Sequence, residues 1–196
     1  MLVKIIKKKE NLDQVLPFYI ENLLWGTVSI PETRGYLGFV EGEGFYLKMI
    51  CQESDPRREY YEDNDPVYQD SAVEAFLQFD DKHYINLEMN ANGALLAAFG
   101  AGRENRRYFT SSELEKFECR AECREAEWEV SVSLPLSVIE SAFGAAKLGR
   151  GSSFACNFYK ISETAEIEHY GSYAPVRTPV PDFHRPEFFA AARIED

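Results

Sequence analysis

Residues 84–90, YINLEMN, alternate Ile85, Leu87 and Met89 with Asn86, Glu88 and Asn90. Successive side chains of an extended strand point to opposite sides, so the two amides and the carboxylate share one face and the apolar residues share the other. Residues 70–79, DSAVEAFLQF, behave the same way: Val73, Ala75 and Leu77 form an apolar row, with Glu74, Phe76 and Gln78 opposite. Placed side by side, these strands present Glu74, Asn86, Glu88 and Asn90 as hydrogen-bonding groups among aromatic rings. A plain solvated face is one reading of that pattern. The other is a site for a neutral, hydroxyl-covered ligand: a sugar has apolar C–H patches that lie on rings and hydroxyls that both donate and accept, which Asn, Gln, Glu and Arg satisfy in pairs.

Other chemistries are weaker. Glycoside hydrolysis needs two carboxylates roughly 5 to 9 Å apart, and Glu74 and Glu88 on adjacent strands meet that spacing. An open sheet face, however, supplies no apolar pocket to raise the pKa of a general acid, and the same glutamates can pair with Arg103 or Arg106 across the surface, where such pairs contribute little. No G-x-S-x-G motif is present, and FGAGRENRR lacks the Lys-Ser/Thr of a phosphate loop. His184 sits among phenylalanines and reads as packing; His83 and His169 flank the polar strands. Glu62, Asp63 and Asp65 offer oxygen ligands of the type calcium takes but lack the twelve-residue hand spacing, so a solvated acidic turn is the default. Asn157, in FACNFYKI, reads equally as a ligand contact and as an internally bonded amide. Cys119 and Cys123 have no second pair at zinc spacing, and all four cysteines (51, 119, 123 and 156) are expected as free thiols.

The elements that must hold these residues are mostly strands. GYLGFVEG, GFYLKMICQE, DSAVEAFLQF, YINLEMN, ALLAAFG, EWEVSVSLPL, SFACNFYKI and FAAARI are short runs bounded by Gly, Pro, Asn or Asp, the cadence of an antiparallel β-sandwich. Two segments look helical: NLDQVLPFYIENLL, interrupted by Pro17, and PLSVIESAFG, with Ser137 as cap and Gly144 as terminator. YYEDNDPVYQD and TSSELEKFECRAECREAE read as long edge loops. With 196 residues, 45% of them hydrophobic, the chain is expected to form one domain. Its formal charge of -12 disfavours nucleic acid and anionic membrane surfaces as partners. The opening MLVKIIKKKE lacks the apolar core of a secretory signal, and no window reaches membrane-spanning length, so a cytoplasmic location is the expectation.

Five blocks in order, DPVYQDSAVEAFLQFDDKHYINLEMNANGALLAAF, WEVSVSLPLSVI, FACNFYKI, HYGSYAPV and PDFHRPEFFAAARI, resemble carbohydrate-binding module family 9, especially its stand-alone relatives, across roughly residues 36–195. The resemblance implies a non-catalytic β-sandwich of jelly-roll or immunoglobulin-like type, one domain over 1–196 with 1–35 as an N-terminal extension packed on it. It also implies structural calcium as a loop-stabilising ion. Family members that bind sugar hold an end unit of a xylan- or cellulose-type chain between two aromatic rings. Tyr68 and Tyr173 stand where the resemblance places those rings, with Glu74, Asn86, Glu88, Asn90 and Asn157 around them as polar contacts; where the family pattern has an arginine on the second strand, this chain has Asn86. The competing class is a protein-interaction sandwich without sugar binding; the sequence leaves oligomeric state open.

Overall fold

The computed structural model describes residues 1–144 and 147–196. Two sheets pack face to face. The front sheet runs β14 (Ala190–Ile194), β12 (Ser153–Ser162), β6 (Ala72–Gln78), β7 (Tyr84–Asn90), β8 (Leu95–Gly100) and β9 (Arg106–Tyr108), with β13 (His169–Ser172) and β3 (Asn22–Leu23) continuing beside β12. The back sheet runs β4 (Thr33–Val40), β5 (Gly44–Cys51), β11 (Trp128–Pro135) and β10 (Arg120–Cys123), with β2 (Phe18–Tyr19) on the other side of β4. All eight strands read from alternation are present.

The sheets are not purely antiparallel. β1 (Leu2–Ile5) pairs in parallel with β14 through Leu2 and Val3, and in parallel with β4 through Lys4 and Ile5. One strand therefore passes from one sheet to the other and curls the sandwich into a continuous mixed sheet. Residues 1–35 supply this strand together with β2 and β3, and so are woven into both sheets as well as packed on them. Alternation could not reveal β1, because a four-residue strand interrupted by Lys4 and followed by a run of lysines resembles a polar terminus.

The inner faces interdigitate: Val73, Ala75 and Leu77 with Ile85, Leu87 and Met89 from the front meet Leu37, Phe39, Phe45, Leu47, Met49, Val130, Val132 and Leu134 from the back, all buried. That side of the pleat behaves as its sequence predicts. Residues 11–24 do not form the expected helix. Lys9–Gln14 make a 3-10 turn, after which Pro17 sends the chain into the extended conformation of β2 and β3. In the second expected helix, Leu136–Phe143, Gly144 ends the element at φ +77 as anticipated, but Pro135 stands at the N-cap with no side-chain hydrogen bond, so Ser137 is not the cap.

The polar segment read as one edge loop contains structure. Thr110 and Glu113 form a reciprocal capping box on the short helix Ser111–Leu114, a T-x-x-E signal visible in TSSE, and β10 follows. Among the described residues no helix is long and apolar enough to cross a membrane.

Candidate ligand-binding site

Register decides what the second face of the front sheet carries. Tyr159 of β12, Glu74 of β6, Glu88 of β7 and Leu96 of β8 lie directly opposite one another in turn, and Asn157, Phe76, Asn86 and Ala98 form the next row. The sequence grouped these side chains correctly, but the face is not wet. Glu74, Asn86 and Glu88 are buried where residues 24–25, 176 and 183–189 fold back over the face, and Asn90 is buried where it bonds Asp70 and Tyr60. Aromatic packing seals that cover: Phe183 stacks on Tyr159 at 3.9 Å between centroids, and Trp25 meets Tyr170 at 5.3 Å and Phe183 at 5.2 Å.

The cover leaves one cavity of about 160 Å³, bounded by Trp25, Tyr68, Tyr108, Tyr170 and Phe183 as rings and by Glu74, Glu88, Arg103, Arg106, Glu163, Asp182 and His184 as polar groups. Trp25 reaches it from a turn in which both Trp25 (φ +48) and Gly26 (φ +83) are left-handed, closed by the Thr27 N–H donating to the Leu24 carbonyl at 3.0 Å. Left-handed backbone at a tryptophan is costly and persists only where its surroundings hold it; here the indole N–H donates to the Thr178 carbonyl at 2.9 Å.

The floor is a relay of buried polar groups. Arg106 donates to Glu88 Oε1 at 3.3 Å and to His184 Nε2 at 3.3 Å, and Asn86 Nδ2 donates to the same Glu88 oxygen at 3.0 Å. Because arginine only donates, His184 Nε2 is the acceptor, and its Nδ1–H faces the Tyr84 hydroxyl at 2.8 Å. Burial and the nearby Arg106 push His184 down to about 2, so the ring is neutral. Burial raises Glu88 to about 7, with Arg106 opposing the rise. Glu74, directly across from it, is raised further by burial and by the Glu88 charge, with Arg106 and Arg103 opposing the rise from a distance; among the described residues those two guanidinium groups pair with Glu88 and Asp182 instead. Cross-strand neighbours stand roughly 4.5–5.5 Å apart at Cβ, so two like charges cannot comfortably coexist there: Glu88 beside Arg106 is the better-placed anion and Glu74 the better-placed acid. Glu88 Oε2, Asn86 Oδ1 and Arg106 Nε are buried without a partner.

The residues singled out from sequence separate into two groups. Tyr68, Glu74 and Glu88 line the cavity, and Asn86 lies beneath it, bonded to Glu88. Asn90 is a turn brace: Nδ2 donates to Asp70 at 2.9 Å and to the Tyr60 carbonyl at 2.8 Å, and Oδ1 accepts the Asn92 and Ala94 N–H groups. Asn157 clasps the backbone of Ala174, donating to its carbonyl at 3.0 Å and accepting its N–H at 2.8 Å. Tyr173 does not face Tyr68. Its ring packs edge-on against Phe18 at 5.6 Å and Phe158 at 6.0 Å, at the margin of the main core and beside a separate groove with Leu2, Leu16 and Pro17. Tyr173 follows β13 with its side chain on the side opposite Tyr170, and Tyr170 is the ring that reaches the cavity.

Trp25, Tyr108, Tyr170, Arg106, Asp182 and a hydrogen-bonded His184 were not read as site residues. The run RENRR carries no apolar alternation to mark β9, and His184 among phenylalanines reads as packing. Asp63 accepts the Leu95 N–H and Asp65 the Glu62 N–H, so both serve the backbone of their loop. Among the described residues, Glu62, Asp63 and Asp65 form no cluster of three or more metal-ligating groups, and calcium finds no support there. The larger groove on the back sheet, about 630 Å³ and bordered by Lys9, Tyr46, Lys48, Glu118 and Arg120, contains none of the unpartnered buried polar atoms.

The sequence profile of Carbohydrate-binding family 9 matches residues 7–194. The chain belongs to this family. A crystal structure of a proposed carbohydrate-binding protein from Bacteroides uniformis superposes with a TM-score of 0.83 at 24% identity, covering 100% of this chain and 98% of that one. A family 9 module from Caldicellulosiruptor kristjanssonii in complex with glucose superposes with a TM-score of 0.69 at 11% identity, over 100% of this chain and 95% of that one. The same organism's module in complex with cellotriose gives 0.69, 11%, 100% and 93%. At these identities the likeness is one of fold. No curated protein is detectably similar to the chain.

Proposed function

We propose that this family 9 chain binds saccharides without cleaving them, taking a single sugar unit into the cavity between Tyr68, Tyr108, Trp25 and Tyr170. The observation that carries this reading is the combination, in one small cavity, of several ring faces with a buried acid, a buried carboxylate and two guanidinium groups. Rings accept the C–H faces of a pyranose, while Glu74 as acid donates, Glu88 accepts and the arginines donate, which answers the mixed donors and acceptors of hydroxyls. A cavity of about 160 Å³ is below the roughly 300–1,000 Å³ of sites for larger ligands, which favours an end unit or monosaccharide over an internal stretch of chain.

The same geometry argues against hydrolysis. In glycosidases the two carboxyl groups flank the scissile bond, whereas Glu74 and Glu88 lie side by side on neighbouring strands of one floor. The complexes of structural neighbours with glucose and cellotriose fit a glucose-type unit, and xylose-type ends remain within the proposed range. Calorimetric titration with glucose, xylose, cellobiose and xylo-oligosaccharides tests the reading. Binding is expected in the micromolar to millimolar range, since so few ligand atoms are immobilised. A complete lack of binding to all four turns the assignment toward a protein-interaction sandwich.

A further inference from the structure

The cavity is acidic in an uneven way. Four carboxyl groups and two guanidinium groups line it, with His184 neutral. Arg106 pairs with Glu88 at 3.3 Å and Arg103 with Asp182 at 3.7 Å, which leaves Glu163 at the exposed rim and Glu74 on the floor. Glu74 is 3% exposed and has neither a hydrogen bond nor an ion pair with another described side chain, yet it borders the cavity directly. A neutral sugar satisfies one lone pair of such a group through a hydroxyl. An ammonium group does more: the Glu74 carboxyl releases its proton to solvent on binding, and the resulting carboxylate meets three donors and a positive charge, while among the described residues the neighbouring guanidinium groups are paired with other acids.

We infer that the cavity prefers sugars bearing a free amino group, with Glu74 as the specificity-determining residue that receives the ammonium, and that it rejects sugars bearing a carboxylate. This rests on the saccharide-binding reading above and narrows its ligand class. Glu163 at the rim adds attraction for an approaching cation, and Tyr68, whose backbone carbonyl accepts the Glu163 N–H at 2.9 Å, ties that rim to the aromatic wall. A uronic acid would place its charge beside Glu88, Asp182 and Glu163, where the positive charge of Arg106 and Arg103 is already matched by Glu88 and Asp182.

The test is a set of titrations on the full chain near pH 6.5, where an amine beside hydroxyls is charged. The probes are glucose, glucosamine, 6-amino-6-deoxyglucose, N-acetylglucosamine and glucuronic acid, which place an amine at C2 or at C6 and remove its charge by acetylation or reverse it. At least one of the two amino sugars is expected to bind about tenfold more tightly than glucose, a charge-assisted hydrogen bond in place of a neutral one. Neither N-acetylglucosamine nor glucuronic acid should show that gain, and glucuronic acid should bind more weakly than glucose. In Glu74→Gln the ratio of amino-sugar to glucose affinity should fall to about one. Glucose binding with no amino-sugar preference overturns this inference and leaves the saccharide reading standing; binding of none of the probes overturns both. An unchanged ratio in a folded Glu74→Gln protein removes Glu74 from the role.

Discussion

Lys160 and Glu74 are buried ionisable residues on opposite faces of the same sheet, and their surroundings differ in a way that separates structure from site. Lys160 points into the sandwich on the side of Val73, its partner in the register. It donates to Ser71 Oγ at 2.6 Å and His169 Nε2 at 3.0 Å and has Glu53 at 3.9 Å; Glu53 in turn accepts from Ser71 and from the Trp128 indole. Every polar group in that cluster has work inside the fold. Glu74, equally buried, has none. Burial alone therefore says little about function here, and the informative quantity is whether the buried polar group is satisfied by the chain itself.

Lys160→Met sharpens the comparison most. It leaves Glu53 beneath the core edge without its cation and should cost roughly 3–5 kcal/mol in urea unfolding, with the saccharide affinity of the folded protein unchanged. Arg106→Met removes the cation from Glu88 and should cost roughly 2–3 kcal/mol at pH 7. That loss should shrink by pH 5, where the carboxyl takes up a proton instead, and saccharide binding should be lost at either pH. Glu74→Gln has the smallest effect, with the opposite sign. Glu74 and Glu88 have folded pKa values above the unfolded value of about 4.3, so their contribution to stability is complete below that pH and is lost as pH rises, for Glu88 through about 7. The glutamine variant should therefore gain on the native protein between pH 5 and 8, by roughly 1 kcal/mol. His169, lowered to about 4, and His184, lowered to about 2, act the other way and remove stability as pH falls below about 6.5 in both proteins. Thermal melts across that range read both arms.

Period-two alternation made the sandwich legible, because apolar rows such as Val73-Ala75-Leu77 and Ile85-Leu87-Met89 have only one way to be buried together. It also paired Glu74 with Glu88 on one face. It did not show whether that face meets water, since a covering layer made of 3-10 turns and irregular segments, Leu24-Trp25 and Phe183 to Phe189, carries no period. The side on which Tyr173 emerges was not legible for a related reason. Near β13 a single residue of offset reverses the side on which a ring emerges, so Tyr170 enters the cavity and Tyr173 joins the core. Asn90 and Asn157 show the third limit: an amide that braces a turn and one that contacts a ligand are the same letter in the sequence.

The proposed saccharide site is the cavity and not the Tyr173 groove. Titration of glucose and cellobiose into Tyr68→Ala and Tyr173→Ala, beside the unaltered chain, decides this most directly. The expected result is affinity weakened about tenfold or more in Tyr68→Ala and retained in Tyr173→Ala, which should instead lose stability. Affinity lost in Tyr173→Ala and intact in Tyr68→Ala would contradict the account.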